Sequence, residues 1–289
     1  MKFVKWRMAW YAFSLLLLIP GLISLGYQGL NLGIDFTGGS LLQVKFEQNV
    51  NADQVRTVLD EFKLGTSSIQ ATNNNNFLIR TKDLSEAETA KIITEFKAKL
   101  GKMDILRNEK VGPIMGKELA LNAIYALIIA FILMIIYITF RFEFKFGVAA
   151  ILALLHDVFI VIGIFSIFQI ETDSTFVAAI LTIIGYSIND TIVIFDRIRE
   201  NLRIAKKMPL DEMIDTSIKQ TLARSINTVL AVMVILASLF LLGGETTRIF
   251  SLALLMGVAI GCYSSIFNAS PIWYDLTRIF DGKKATQKI

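Results

Sequence analysis

Six stretches of the chain are almost free of charge, roughly residues 8–27, 119–140, 147–170, 174–195, 225–242 and 249–274. A bilayer core of about 30 Å needs about 20 apolar residues in a helix, and core helices of soluble proteins rarely stay wholly apolar beyond about 14. The pattern therefore predicts six membrane spans. Between the first two, residues 28–118 change character. Leu42, Val44 and Phe46 alternate as in a strand, and Val55, Val58, Leu59 and Phe62 follow at helical spacing. Two short β-prone runs, 67–71 and 77–80, flank Asn73-Asn74-Asn75-Asn76, which suits a hairpin turn. Ser85-Glu-Ala-Glu88 reads as a capping box opening a helix to Leu100, stopped by Gly101, and 103–111 closes the series as a strand. The order βαββαβ predicts a ferredoxin-like α+β domain inserted between spans one and two. The expected organisation is 1–27 for the amino-terminal flank and first span, 28–118 for the extracytoplasmic domain, 119–274 for five spans, and 275–289 for a tail.

Composition agrees. The 289 residues are 54% hydrophobic and 19% charged, against about 45–50% and about 25% in soluble domains. One cysteine and one histidine leave no disulfide framework and no multi-ligand metal set. The flanks and loops at 1–7, 141–146, 196–224 and 275–289 hold 16 lysines and arginines, whereas 171–173 and 243–248 hold one. That asymmetry places both termini in the cytoplasm. Pro20-Gly21 inside the first run, with no small-x-small site after it, marks an uncleaved anchor rather than a signal peptide. Residues 28–118 carry 12 basic and 12 acidic side chains, so no nucleic-acid patch forms. No nucleophile, base and oxyanion set appears, and an enzyme is not expected.

Charges within the spans need a reason, since each costs about 2.5–3.5 kcal/mol at the bilayer centre on insertion scales. Asp190 lies ~9 Å inside the fourth span, His156 and Asp157 lie ~12–15 Å into the third, and Arg224 opens the fifth. Thr182, Tyr186, Asn189 and Asp190 share one side of a helix, as do Arg224, Asn227 and Thr228 on the next. Three readings stand: a structural Asp190–Arg224 ion pair, an arginine that snorkels to the interface, or a protonatable relay through Asp190, Arg224, Asn189, Thr228, Asp157 and His156. His156 and Asp157 point about 100° apart on a helix, so one can face the relay while the other bonds a neighbour. Gly257 and Gly261 form a small-residue face for close helix approach, within the chain or against another subunit, and Gly185 is grouped with them. Leu210, Met213, Ile214, Ser217 and Ile218 read as an interfacial amphipathic helix.

These motifs resemble the SecF members of the SecD/SecF protein-export family, within the resistance-nodulation-division superfamily. The resemblance rests on Gly33-Ile-Asp-Phe-Thr-Gly-Gly39, Leu155-His-Asp-Val158, the run from Gly185 through Asn189-Asp190 to Glu200, and Tyr263-Ser-Ser-Ile-Phe267. It covers essentially the full length. It implies a bacterial inner-membrane subunit that pairs with a separate SecD chain and assists the SecYEG channel, with YajC and YidC as further partners. It also implies an outer domain that moves on the translocating preprotein while the proton-motive force drives late export. Asp190 matches the family's essential membrane aspartate and Arg224 its arginine in the next helix. No cofactor is implied beyond the coupling ion, taken as a proton, although some relatives use sodium. Two other classes stay open: a scaffold that only stabilises SecD and the channel, and an exporter of small hydrophobic compounds, for which the 91 residues of the outer segment look too few.

Overall fold

A computed structural model describes residues 2–72, 75–204 and 208–286. In chain order the elements are α1 (Arg7–Gln28), β1 (Asn31–Leu32), α2 (Ile34–Thr37), β2 (Gly39–Phe46), α3 (Ala52–Asp60), β3 (Ser68–Thr72), β4 (Asn76–Thr81), α4 (Glu86–Leu100) and β5 (Met103–Val111). Then follow α5 (Pro113–Arg141), α6 (Phe144–Ile167), β6 (Glu171–Thr172), α7 (Ser174–Ile204), α8 (Leu210–Leu242), α9 (Glu245–Ser264), a π-helical turn (Ser265–Ala269) and α10 (Ser270–Thr286). The chain divides into two compact units, one of residues 1–31 with 125–289 and one of residues 32–124. Among the described residues, six helices are long and apolar enough to cross a membrane, α9 and α10 joining as the sixth. The chain is therefore a multi-pass membrane protein carrying a β-containing unit.

The smaller unit builds one antiparallel sheet in the order β3-β4-β2-β5. Strand β2 is central because its alternation places Leu42, Val44 and Phe46 in the core. Phe46 meets the rings of Phe77 and Phe96 at 5.8 and 6.0 Å. Helices α3 and α4 cover the sheet with Val55, Val58 and Leu59 and with Ile92, Phe96 and Leu100. The expected capping box is present. Glu88 N–H donates to Ser85 Oγ, and Ser85 N–H donates to Glu88 Oε2 at 2.8 Å. The Ser85 N–H, and with it the Ser85 hydroxyl donating at 2.7 Å, holds the Glu88 carboxyl below the usual carboxylate range. A second box, Asn51 with Gln54, opens α3 and escaped the sequence reading. Helix α3 ends at Asp60, short of Phe62, which still packs on the core. Of the expected hairpin turn, Asn73 and Asn74 lie outside the described residues; Thr72 pairs with Asn76 beside them. Gly39 starts β2 at φ +125°, where an added Cβ would lie 2.5 Å from the Thr81 carbonyl oxygen, so only glycine fits.

In the helical unit, small residues set the crossings. Gly21 and Gly163 pack backbone to backbone: a Cβ on Gly21 would sit 2.8 Å from Gly163 Cα. Ser24 and Ser166 bond at 2.8 Å with the same 142-residue offset, so α1 and α6 run parallel. Helices α7 and α9 are also parallel and mesh every fourth residue. Ile183 fills the space at Gly257, Ser187 lies against Gly261, and Thr191 bonds Ser265 at 2.8 Å. The Gly257–Gly261 face is thus occupied within the chain. Gly185 is different: a Cβ added there would meet no heavy atom within 4 Å, so its small size serves no packing in this chain.

One expectation is corrected here, and one feature is new. The stretch after Pro209 is not a separate interfacial helix: it is the first part of α8, which runs unbroken to Leu242. Ile214 and Ile218 are fully buried in the core of the helical unit, because that stripe faces other helices. The sixth span is not a plain α-helix either, since the π-turn at Ser265–Ala269 interrupts it. Overpacking a close crossing costs about 1–3 kcal/mol or more. Gly163→Leu and Gly257→Leu should each lose that much in an SDS-unfolding titration in mixed micelles. Gly26→Leu and Gly185→Leu, at open positions, should leave the curve in place.

Candidate functional site

Polar side chains inside the helical unit form two clusters. The first centres on Asp157, which is fully buried. Its Oδ2 accepts hydrogen bonds from Ser187 Oγ of α7 at 2.6 Å and Ser264 Oγ of α9 at 2.7 Å. Its Oδ1 lies 2.9 Å from His156 Nδ1. Both carboxylate oxygens are therefore satisfied, as a buried carboxylate requires. His156 Nε2 lies 3.3 Å from Asn268 Nδ2 in the π-turn, and Asn268 Nδ2 donates to Ser14 Oγ of α1 at 2.8 Å. Ser14 Oγ is 3.1 Å from the Tyr263 hydroxyl, which donates to the Trp10 carbonyl at 2.9 Å. One network thus ties α1, α6, α7, α9 and the π-turn together. The neighbours His156 and Asp157 serve different directions, the histidine towards α1 and the aspartate towards α7 and α9.

The second cluster is built differently. Asp190 Oδ1 accepts from Ser225 Oγ of α8 at 2.5 Å, while Asp190 Oδ2 is buried with no hydrogen-bond partner among the described residues. The Tyr186 hydroxyl is likewise buried and unpartnered. Both line a cavity of about 30 Å³ with Asn189, Val193, Arg224, Thr228 and Val229. One water needs at least about 10–15 Å³, so the space takes one or two. Arg224 shares this cavity, but among the described residues no ion pair joins it to Asp190. Thr228 Oγ1 donates to the Arg224 carbonyl oxygen. Asn227, read on the same stripe, does not line the cavity. Thr182 donates back to Ala178 at 2.8 Å and is also absent from it.

Of the six residues assigned to the relay, Asp190, Arg224, Asn189 and Thr228 therefore meet at one cavity, and His156 and Asp157 form the other cluster. Ser187 and Asp190 are less than one turn apart on α7, so one helix serves both. The sequence reading missed the hydroxyls that serve these carboxylates, Ser187, Ser225 and Ser264, and the Ser14 and Asn268 that continue the first cluster through His156. Their signal was present as polar residues inside apolar runs. A serine on a membrane helix is common, however, and bonding its own backbone satisfies it equally well. Among the described residues, no group of three or more histidine, cysteine or acidic side chains could hold a metal.

Comparison with known proteins decides the family. The C-terminal region of the protein export membrane proteins SecD/SecF matches residues 91–279, and the SecD/SecF GG motif matches residues 23–50. The chain belongs to the SecD/SecF family. The protein translocase subunit SecF of Sebaldella termitidis is 44% identical over 96% of this chain and 92% of its own length. The SecDF of Bacillus subtilis is 41% identical over 94% of this chain, which spans 38% of that longer protein. The crystal structure of the translocon-associated SecDF from Thermus thermophilus superposes with a TM-score of 0.89 at 36% identity, over 96% of this chain and 39% of that one. A SecDF structure in a super-membrane-facing form gives 0.74 at the same identity, over 99% of this chain and 40% of that one. The matched segment contains the pair Gly38-Gly39, and the strained start of β2 explains the second glycine.

The two carboxylates should respond differently to mutation. Asp157→Ala strands the donors of Ser187, Ser264 and His156, at about 1–3 kcal/mol for each buried group. Asp190→Asn keeps an acceptor for Ser225 and should leave SDS-unfolding stability nearly unchanged. A comparison of both variants in mixed micelles checks this.

Proposed function

We propose that this chain is a SecF-type subunit of the bacterial protein translocase that, with SecD, couples the proton-motive force to late steps of protein export. The observation that carries the reading is the half-satisfied Asp190: one oxygen is fixed by Ser225, and the other faces a water-sized cavity shared with Arg224. A carboxylate with an open oxygen can take and release a proton without dismantling the helices around it. A nearby guanidinium favours the charged form, and its withdrawal favours the protonated one. Asn189 and Thr228 supply polar walls for the water that would carry the proton. The coupling ion is a proton in this reading.

The strand order β3-β4-β2-β5 supports a ferredoxin-like outer domain. The lysine and arginine asymmetry of the loops supports cytoplasmic termini and an inner-membrane location. Pairing with SecD is supported by the fused SecDF relatives; SecYEG, YajC and YidC follow as partners from the family resemblance. The chain acts as a transport subunit rather than an enzyme. One charge falling through 100 mV releases about 2.3 kcal/mol. That shifts a two-state outer domain by about fiftyfold, provided protonation prefers one state.

In cells, Asp190→Asn at wild-type abundance should abolish stimulation of export by the proton-motive force. Arg224→Met should be similarly damaging, because it removes the charge that returns Asp190 to its ionised form. Pulse-chase secretion of a periplasmic reporter, with and without an uncoupler, measures both. Normal ion-coupled export by Asp190→Asn would leave the scaffold reading in place instead.

A further inference from the structure

The chain has one histidine, and it stands where two routes meet. His156 is nine-tenths buried, yet it lines an open groove of about 370 Å³ between α1, the π-turn and α10. Tyr11, Ser14, Asn268 and Asp275 form its polar edge, and Leu15, Leu18, Ile272, Leu276 and Ile279 its apolar wall. The Tyr11 hydroxyl donates to Asp275 Oδ2 at 3.2 Å, and Ser14, three residues on, reaches Asn268. Two bonded sets thus lie along the groove, Tyr11 with Asp275 and Ser14 with Asn268 and the imidazole. None of these residues lines the cavity at Asp190.

The orientation of the Asn268 amide selects the tautomer. Asn268 Nδ2 is the donor to Ser14 Oγ, so the same amide nitrogen presents a hydrogen to His156 Nε2. Nε2 is then an acceptor, and the single ring proton sits on Nδ1, donated to Asp157 Oδ1. A second proton on Nε2 would put two donors face to face. The relief is to turn the Asn268 amide over, so that Oδ1 accepts from the imidazolium. That oxygen now accepts from Ser14 Oγ at 3.1 Å, and after the turn it would occupy the place of Nδ2, 2.8 Å from the same hydroxyl. The added charge itself has a partner, since Asp157 is 2.9 Å away.

We propose that His156 is a second proton-binding site, entered from the groove between α1 and the sixth span, whose occupancy is read by the Asn268 amide in the π-turn. This rests on the ion-coupled reading above and adds to it a port separate from Asp190. The charged and titratable groups around the imidazole are few. Asp157 lies on its own helix, Tyr263 of α9 has its ring centroid 6.2 Å away, and Tyr11 of α1 and Asp275 of α10 are on the groove wall. Arg7 is held on Asp275 at 2.9 Å, and from α7 the group supplied to the pair is the uncharged Ser187. Both sites act on α7, one through Ser187 and Asp157 and one through Asp190 itself. π-turns recur at functional positions in helices because their hydrogen bonding shifts register at low cost.

A single histidine makes the test direct. Full-length chain labelled with ¹⁵N-histidine, co-purified with unlabelled SecD in nanodiscs, gives one pair of ring-nitrogen resonances. The expected result is an Nδ1–H tautomer at high pH that converts to imidazolium as the pH is lowered. Asn268→Leu, which removes the amide, should change that transition while Asp190→Asn leaves it in place. Access is tested with diethyl pyrocarbonate, which modifies neutral imidazole and here has one imidazole to find in this chain. Filling the groove with Leu15→Trp should slow modification by an order of magnitude, and Thr228→Leu at the other cavity should not. Ring shifts that stay constant with pH, or equal modification rates in both variants, would overturn the proposal. Because the resonance reports His156 and the secretion assay reports Asp190, loss of either reading leaves the other identifiable.

Discussion

A carboxylate with no exposure at all, Asp157, is the constraint from which the packing of the helical unit follows. In a lipid-surrounded bundle an unpaired charge is untenable, so each oxygen must find a donor. Ser187, Ser264 and His156 meet that demand only if α6, α7 and α9 stand in one register. The glycines make that register reachable. Gly257 and Gly261 bring α9 onto α7 so closely that Ser264 can extend to the carboxylate on α6. Gly21 and Gly163 do the same for α1, which then carries Ser14 to Asn268. Close backbone approach and polar satisfaction are therefore one requirement met twice.

Asp190 shows the opposite arrangement on the same helix that serves Asp157. It has one fixed partner and one free oxygen, beside an arginine that is near but not bonded. The difference separates a structural carboxylate from one able to change state. Asp157 carries three hydrogen-bond contacts shared over both oxygens, whereas Asp190 carries one, on a single oxygen. The spans around it are unevenly enclosed: α6 is buried along most of its length, while the apolar side chains of α5 mostly face outward.

Much of this was readable without coordinates. The six apolar runs, the βαββαβ order, the capping box at Ser85, the pairing of Asn189 with Asp190 on one helix and that of Thr228 with Arg224 on another all follow from spacing along single helices or strands. Less readable were features set between elements. The stripe at Met213, Ile214 and Ile218 has the same spacing whether it faces lipid headgroups or other helices. Only the continuity of α8 and its burial tell which. The π-turn leaves no sequence periodicity of its own, because one extra residue in a turn shifts the apolar stripe no more than an ordinary polar substitution does.

Residue order alone dictates which segments must leave water, which side chains carry charge into them, and where glycine permits close contact. Those are local properties, governed by transfer free energy and backbone geometry at each position. Which hydroxyl serves which carboxylate is settled only when the helices pack, and packing divides the six candidate relay residues into two clusters. The 19% of charged residues looked alike in composition. What distinguishes Asp157 from Asp190 is the number of donors that neighbouring helices bring within hydrogen-bonding reach, and that depends on contacts between residues as far apart in the chain as Asp157 and Ser264.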